Sequence, residues 1–158
     1  MRRTDREITE PAEALEVLRR CETVRVGMLS EGWPYVVPLS FAVEEGEQGR
    51  IALYFHSAAV GRKVEALAQN ARVCIEGDIF YKNEQVPMGI TARYESVIGF
   101  GIATRVEGEE KLHGLRLLVA RYGYADYPVD ACHGLSHTAV YKVELSSLTG
   151  KRNLPSEV

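Results

Sequence analysis

The segment Tyr54-Phe55-His56-Ser57-Ala58-Ala59-Val60-Gly61-Arg62-Lys63 limits the fold more than any other stretch of this chain. Ile51, Leu53 and Phe55 alternate with Ala52, Tyr54 and His56, which is the period of a strand. Small residues follow, and Val64, Leu67 and Ala68 then recur at helical spacing, so a helix is predicted over 61–69. A strand that turns into a helix through Ser, Ala and Gly gathers backbone N–H groups at the positive end of the helix dipole, where anions bind well. Arg62 and Lys63 place two cations in that first turn, where the dipole disfavours them and a bound anion favours them. Pattern alone leaves two readings open: a strand–helix junction with two solvated basic residues, or a grip for a phosphate.

The flanking sequence supplies more strands than helices. A helix is predicted over about 10–21, with Thr9 as its cap, Pro11 near its start and Ala14, Leu15, Leu18 and Cys21 on one face. Val24 to Leu29 reads as a strand, Glu31-Gly32 as a turn and Pro34 to Val43 as the hairpin partner. Pro38 cannot donate a ladder bond, so its side of that strand faces an edge, a bulge or a bound molecule. Asn70 is placed to end the 61–69 helix, and Arg72 to Asp78 is the next strand. Residues 79–92 show no clear pattern. Tyr94 to Val106 reads as a long strand in which Gly99 and Gly101 mark a bend or a close backbone approach, as barrels require. Glu109 to Tyr122 is the strongest helix, with Leu112, Leu115, Leu118, Val119 and Tyr122 along one stripe. An aromatic loop over 123–137 precedes a final strand, Thr138 to Leu145. Residues 1–8 read as a polar arm and 151–158 as a tail. Hairpin succession with a few helices predicts an α+β, mainly β fold built on a six-stranded antiparallel barrel.

Bulk properties narrow the class. With 158 residues, 46% of them hydrophobic, one domain over 1–158 is expected. A net charge of -3 with interspersed signs argues against a nucleic-acid partner or a membrane surface. No apolar run approaches the roughly 18 residues of a membrane span, and the charged start has no hydrophobic segment behind it. Cys21, Cys74 and Cys132 are widely spaced, as free thiols in a reducing cytoplasm would be.

Pro34-Tyr35-Val36-Val37-Pro38-Leu39, Leu53-Tyr54-Phe55-His56-Ser57-Ala58 and Gly61-Arg62-Lys63 together resemble the pyridoxamine 5′-phosphate oxidase-related FMN-binding split barrels. Tyr94-Glu95-Ser96-Val97-Ile98-Gly99-Phe100-Gly101 and Glu110-Lys111 are similar to the branch containing the Nim nitroimidazole-resistance proteins. So are Arg2 to Ile8 at the start and Thr149-Gly150-Lys151 near the close. The resemblance implies a six-stranded split barrel with Greek-key elements and flanking helices. It also implies a homodimer with two FMN sites at its interface. Ser57, Arg62 and Lys63 would then hold the FMN phosphate, and Val36, Val37, Pro38 and Leu39 would run along the isoalloxazine ring. Phe55, Ala58 and Gly61 belong to the same cofactor segment. His56 occupies a position near the flavin, and Ser96 reaches the phosphate or ribityl chain of one of the two cofactors. The oxidases' C-terminal Trp and Arg residues for pyridoxal phosphate have no clear counterpart, since Trp33, in a turn, is the only Trp.

Asp130, Cys132, His133 and His137 are the only group of metal-ligand residue types. Gly134, Ser136 and the nearby Pro128 favour a polar loop there, and no metal is expected. The expected activity is FMN-dependent reduction of a small, nitroimidazole-type aromatic substrate, with His56 as catalytic proton donor or ring-edge contact. The alternative is a non-catalytic flavin- or haem-binding protein for storage, sensing or sequestration. The long apolar strand from Tyr94 and the Leu-rich helix after it carry more apolar surface than a small barrel needs, as a homodimer would.

Overall fold

The computed structural model describes residues 2–154. Its strands are β1 (Glu7–Ile8), β2 (Val24–Ser30), β3 (Trp33–Leu39), β4 (Ala42–Glu45), β5 (Ile51–Ala58), β6 (Arg72–Val86), β7 (Gly89–Val106) and β8 (Thr138–Asn153). Its helices are α1 (Pro11–Arg20), α2 (Arg62–Gln69) and α3 (Gly108–Arg121). The strands form one antiparallel sheet in the order β3-β2-β6-β7-β8-β5-β4, and β1 pairs with the far end of β8.

β3 and β4 stand at opposite ends of that order, yet only Ser40 and Phe41 separate them in the chain. Three Cα steps span at most about 11 Å, so the sheet has to roll until its ends nearly meet. The two edge strands do not pair, and the barrel is therefore split along this seam. Phe41 plugs the seam from within and is fully buried.

The inward residues of β2, β5, β6, β7 and β8 alternate along each strand and form one core with Val26, Phe55, Ile75, Val97 and Val143 at its centre. α1 contributes Leu15, Val17 and Leu18 to it, and α2 contributes Ala66 and Leu67. α3 lies on the outer face over β4, β5 and β8. Its Gly114 faces Tyr54 and Val140, where an added Cβ would come within 2.6 Å of the tyrosine ring.

Several expectations are corrected. Pro34 to Val43 is not one strand, because the chain leaves the sheet edge at Ser40-Phe41 and joins its other end. The unpatterned 79–92 segment is the outer part of a long β6–β7 hairpin with a register shift between Phe80 and Lys82. Its residues are largely solvated, which removes the alternation a sequence reading needs. Lys151 to Asn153 are not tail but the end of β8, paired with Ser96, Glu95 and Tyr94. Glu7 and Ile8 of the predicted arm pair with Lys151 and Gly150. The six expected strands become an eight-stranded sheet. Glu10 rather than Thr9 precedes α1, without a side-chain cap. Residues 155–158 of the expected tail lie outside the described residues.

Gly99 and Gly101 do mark close approaches. A Cβ at Gly99 would meet Ile75 at 3.0 Å, and one at Gly101 would overlap the carbonyl oxygen of Glu144, next to the register shift between β7 and β8. Gly101→Ala should therefore destabilise the protein by roughly 1–3 kcal/mol, the range for overpacking. Urea unfolding of parent and variant measures this, and equal midpoints would remove the close approach as the reason for the glycine.

Candidate functional site

β5 ends at Ala58, and Ala59-Val60-Gly61 turns the chain into α2. Gly61 precedes the helix at φ +121, a conformation that side-chain-bearing residues rarely adopt. The backbone N–H of Ala59 donates to the carbonyl of His137 (2.9 Å), which ties this turn to the end of the 123–137 segment. The first-turn N–H groups of α2 have no partner within the helix. Arg62 donates through Nε to Ser30 Oγ (2.9 Å), and its guanidinium lies 4.6 Å above the Tyr35 ring. The Lys63 ammonium lies 5.7 Å from the Phe55 ring, and burial lowers its pKa. Among the described residues, neither cation pairs with a carboxylate. That leaves two neighbouring positive charges at the helix start for an anion.

Beside this cationic turn is an apolar cavity of about 310 Å³. Leu115, Leu118 and Val119 of α3 form one wall. Tyr122, Tyr124, Tyr127, Val129, Cys132 and Leu135 form another. His56, Ser40 and Thr138 complete the lining. The wall from the 123–137 segment is fixed by Lys111, whose Nζ donates to the Leu135 carbonyl (2.9 Å), and by Arg116 paired with Asp130 (2.8 Å). Tyr127 donates weakly to the Cys132 sulfur (3.6 Å), which holds that thiol below its ordinary pKa. His56 stands at the edge of these apolar groups and remains exposed to solvent. Partial desolvation against the cavity wall, and then the positive charge of Lys63, lowers its pKa and favours the neutral ring.

β3 links the two features. Tyr35 meets Arg62 at one end and Ser40 reaches the cavity at the other, a strip of about 17 Å at the rise of an extended strand. Val36 and Pro38 are exposed along it, while Val37 and Leu39 pack inward. Pro38 sits on an edge strand, one of the three placements expected of it.

The predicted residues thus fall into a cluster and an outlier. Val36, Val37, Pro38, Leu39, His56, Ser57, Ala58, Gly61, Arg62 and Lys63 line the seam and the turn beside it. The Ser57 hydroxyl donates only to the Ala58 carbonyl (2.8 Å), so its oxygen can accept a further bond. Phe55 is corrected in one respect: its ring is fully buried and stacked on Tyr141, so only its backbone remains for a ligand. Ser96 is remote within one chain, since it pairs with Lys151 while His56 pairs with Val140 at the opposite end of β8. Among the described residues no three His, Cys, Asp or Glu side chains gather as a metal site. The sequence reading missed Ser40, Tyr124, Tyr127 and Cys132 as site residues. Their signal was the density of tyrosines in a loop that follows a Leu-striped helix.

A sequence model of the pyridoxamine 5′-phosphate oxidase family matches residues 10–152. The chain belongs to that family. Among solved structures, it is similar to a candidate 5-nitroimidazole antibiotic resistance protein from Bacteroides thetaiotaomicron. The identity is 28%, 92% of this chain and 85% of that one are covered, and the TM-score is 0.80. A flavocytochrome from Azotobacter vinelandii shares the fold at 20% identity and TM-score 0.80, covering 98% of this chain and 72% of that one. So does an FAD- and haem-binding protein from Mycobacterium smegmatis, at 18% identity and TM-score 0.78, covering 97% and 77%. No curated protein matches the sequence. No helix among the described residues is long and apolar enough to cross a membrane.

For this family member the state of His56 is directly measurable. Its imidazole should titrate by NMR with an inflection below 6.5. Lys63→Met removes the lesser of the two causes and should move the inflection up without reaching 6.5. Because the folded chain takes this proton less readily than the unfolded one, His56 should subtract stability as pH falls below about 6.5. An inflection at or above 6.5 would place the ring outside the apolar surroundings described.

Proposed function

We propose that this protein is an FMN-binding oxidoreductase that reduces a small nitro-substituted aromatic molecule, and that it works as a homodimer. The observation that carries the reading is the pair Arg62 and Lys63, two cations at a helix start without carboxylate partners, one strand's length from an apolar cavity. These residues fit the cofactor. Arg62, Lys63 and the free N–H groups of the α2 turn would hold the phosphate, with Ser57 in reach of the same turn. The exposed edge of β3 offers backbone groups to a flat ring system. Bound FMN supplies the electron pair for the reduction. The protein's own part is to exclude water with the Leu and Tyr walls and to hold a neutral imidazole at the cavity edge. There His56, as a neutral ring, donates a hydrogen bond through one nitrogen and accepts one through the other. A cytoplasmic setting suits its three free thiols.

Charge-assisted bonds to a phosphate are each worth roughly 1.5–3 kcal/mol. Arg62→Ala and Lys63→Ala should each weaken FMN binding by about ten- to a hundredfold. Riboflavin, which lacks the phosphate, should bind parent and variants alike. Fluorescence quenching measures both ligands, and equal losses for FMN and riboflavin would remove the phosphate grip. Anaerobic turnover of a nitroimidazole with the FMN-loaded protein and a chemical reductant then tests the enzyme against a mere binder.

The dimer is supported by the part of the outer sheet face that α3 leaves bare. Leu29, Val36, Ile98, Phe100 and Ile102 are each 44–58% exposed there. Leu115 and Leu118 of α3, by contrast, line the cavity. A bare apolar face of this kind marks an association surface. Ser96 lies on the same face of β7, so a second copy would be the means of bringing it to a cofactor. Sedimentation should show a dimer at micromolar concentration, and Phe100→Asp should shift it toward monomer. A monomeric parent would sink the assembly.

A further inference from the structure

The 123–137 segment is closed on itself. From Tyr127 to His137 each of its backbone bonds runs to a residue two or three positions back, and the Tyr127 and Cys132 side chains bond to each other. Among its residues only Val129 is buried. Beyond the residues that adjoin it in the chain, three bonds fasten it among the described residues. Lys111 Nζ donates to the Leu135 carbonyl, Arg116 pairs with Asp130, and the Ala59 N–H donates to the His137 carbonyl (2.9 Å). Few buried contacts and few outside bonds mark a region that opens locally at far less cost than global unfolding. The third fastening differs in kind, because Ala59 belongs to the turn that carries Arg62 and Lys63. That turn is exposed at Val60, Gly61 and Arg62. Its two cations oppose the helix dipole, and an anion reverses that opposition and fixes the turn.

We infer that the 123–137 segment is a strap that opens as one unit, and that an anion in the α2 turn closes it through the Ala59-to-His137 bond, a coupling that rests on the flavin reading above only for its anion. A turn held by an anion presents the Ala59 N–H in one place, so the strap loses less conformational freedom of its own when it docks. The coupling is reciprocal, and a closed strap holds the anion more tightly. Gly123, at φ +88 directly after α3, is the pivot at the other end. The cavity has its wall from Tyr124 to Leu135 only while the strap is down. The turn is therefore filled first and the cavity second.

Hydrogen exchange read by mass spectrometry tests this, with inorganic phosphate as the probe and chloride at equal ionic strength as the control. In chloride the amides of 124–135 should exchange faster than those of β5. Phosphate should slow them roughly tenfold, within the usual range of coupling between sites, and slow those of 60–64 with them. Lys63→Ala should weaken both effects together. Ala59→Pro removes the linking N–H, so its turn should still respond to phosphate while its strap does not. If Ala59→Pro does not fold, Lys111→Met frees another fastening, and 124–135 should then exchange several-fold faster while β5 is unchanged. The inference is overturned if 124–135 is as protected as β5 in chloride, or if phosphate slows the turn and leaves the strap. It is also overturned if the strap of Ala59→Pro responds as the parent's does, or if Lys111→Met leaves the strap unchanged. A response undiminished in Lys63→Ala has the same consequence, since phosphate then acts elsewhere. Phosphate without effect on turn and strap alike sinks the phosphate grip of the flavin reading, and the anion-driven closure with it.

Discussion

The curvature of the sheet depends on a two-residue join. Ser40 and Phe41 join strands that lie at opposite ends of the sheet, so the sheet has no choice but to roll. The join is clamped from several directions. Phe41 donates its N–H to the Tyr122 hydroxyl (3.3 Å), and the Arg121 guanidinium lies 4.2 Å above its ring. Arg121 also donates to the carbonyls of Arg19 (3.1 Å) and Cys21 (2.5 Å), and Tyr122 donates to that of Glu22 (2.9 Å). The ends of α1 and α3 are thereby fastened across the seam. A split barrel leaves one line along which strand edges and loops are not satisfied by pairing. The cationic turn, the β3 edge and the apolar cavity all lie along that line.

The outer helix is held by a different device. Gly114 lets α3 approach closely enough for a carboxylate to reach the fully buried Tyr54. The Tyr54 hydroxyl donates to Glu110 (2.6 Å), which also accepts from Lys142 (2.8 Å). Burial and then Glu110 push the Tyr54 pKa up, and Lys142 and then Tyr54 hold the Glu110 carboxyl below its usual range. A carboxylate lowered in this way stabilises the helix position at neutral pH and ceases to do so as pH falls through its depressed pKa. His113 lies edge-on to the Tyr54 ring and meets Glu44 at 2.8 Å, so β4 is drawn into the same network. The position of Leu115 and Val119 at the cavity is a consequence of this docking.

The strands with one buried face are legible in the sequence. Val24, Val26 and Met28 alternate with Arg25, Gly27 and Leu29, and the structure uses that alternation directly. Gly99 and Gly101 are legible on related grounds, since a glycine inside an apolar run forgoes packing area that only a close backbone approach or a bend would compensate. The failures have common physics. Pro34 to Val43 looks continuous because Phe41 is as apolar as any strand residue; its burial serves the seam rather than a sheet face. Residues 79–92 are opaque because a projecting hairpin is wet on both sides. Asn70 does follow the last turn of α2, but in an extended conformation at φ -148, with its side chain accepting from the Arg72 N–H (3.0 Å). Of the site, the turn at Gly61-Arg62-Lys63 can be read from charge against dipole. The cavity wall cannot, because its residues converge through packing across the chain and share no local period.

β8 has a consequence for how the molecule comes into being. It is the last of the strands in chain order, yet it pairs with β1, β5 and β7 and occupies the interior of the sheet. Until it is in place, β5 and β7 expose two adjoining edges, and the Ala59-to-His137 bond cannot form. Contacts of such long sequence separation are slow to close. A chain emerging from the ribosome therefore carries its cationic turn early but has no cavity beside it until β8 has followed. The hairpins β2–β3 and β6–β7 can form as local units in the meantime, and the arrival of one strand converts them into a barrel.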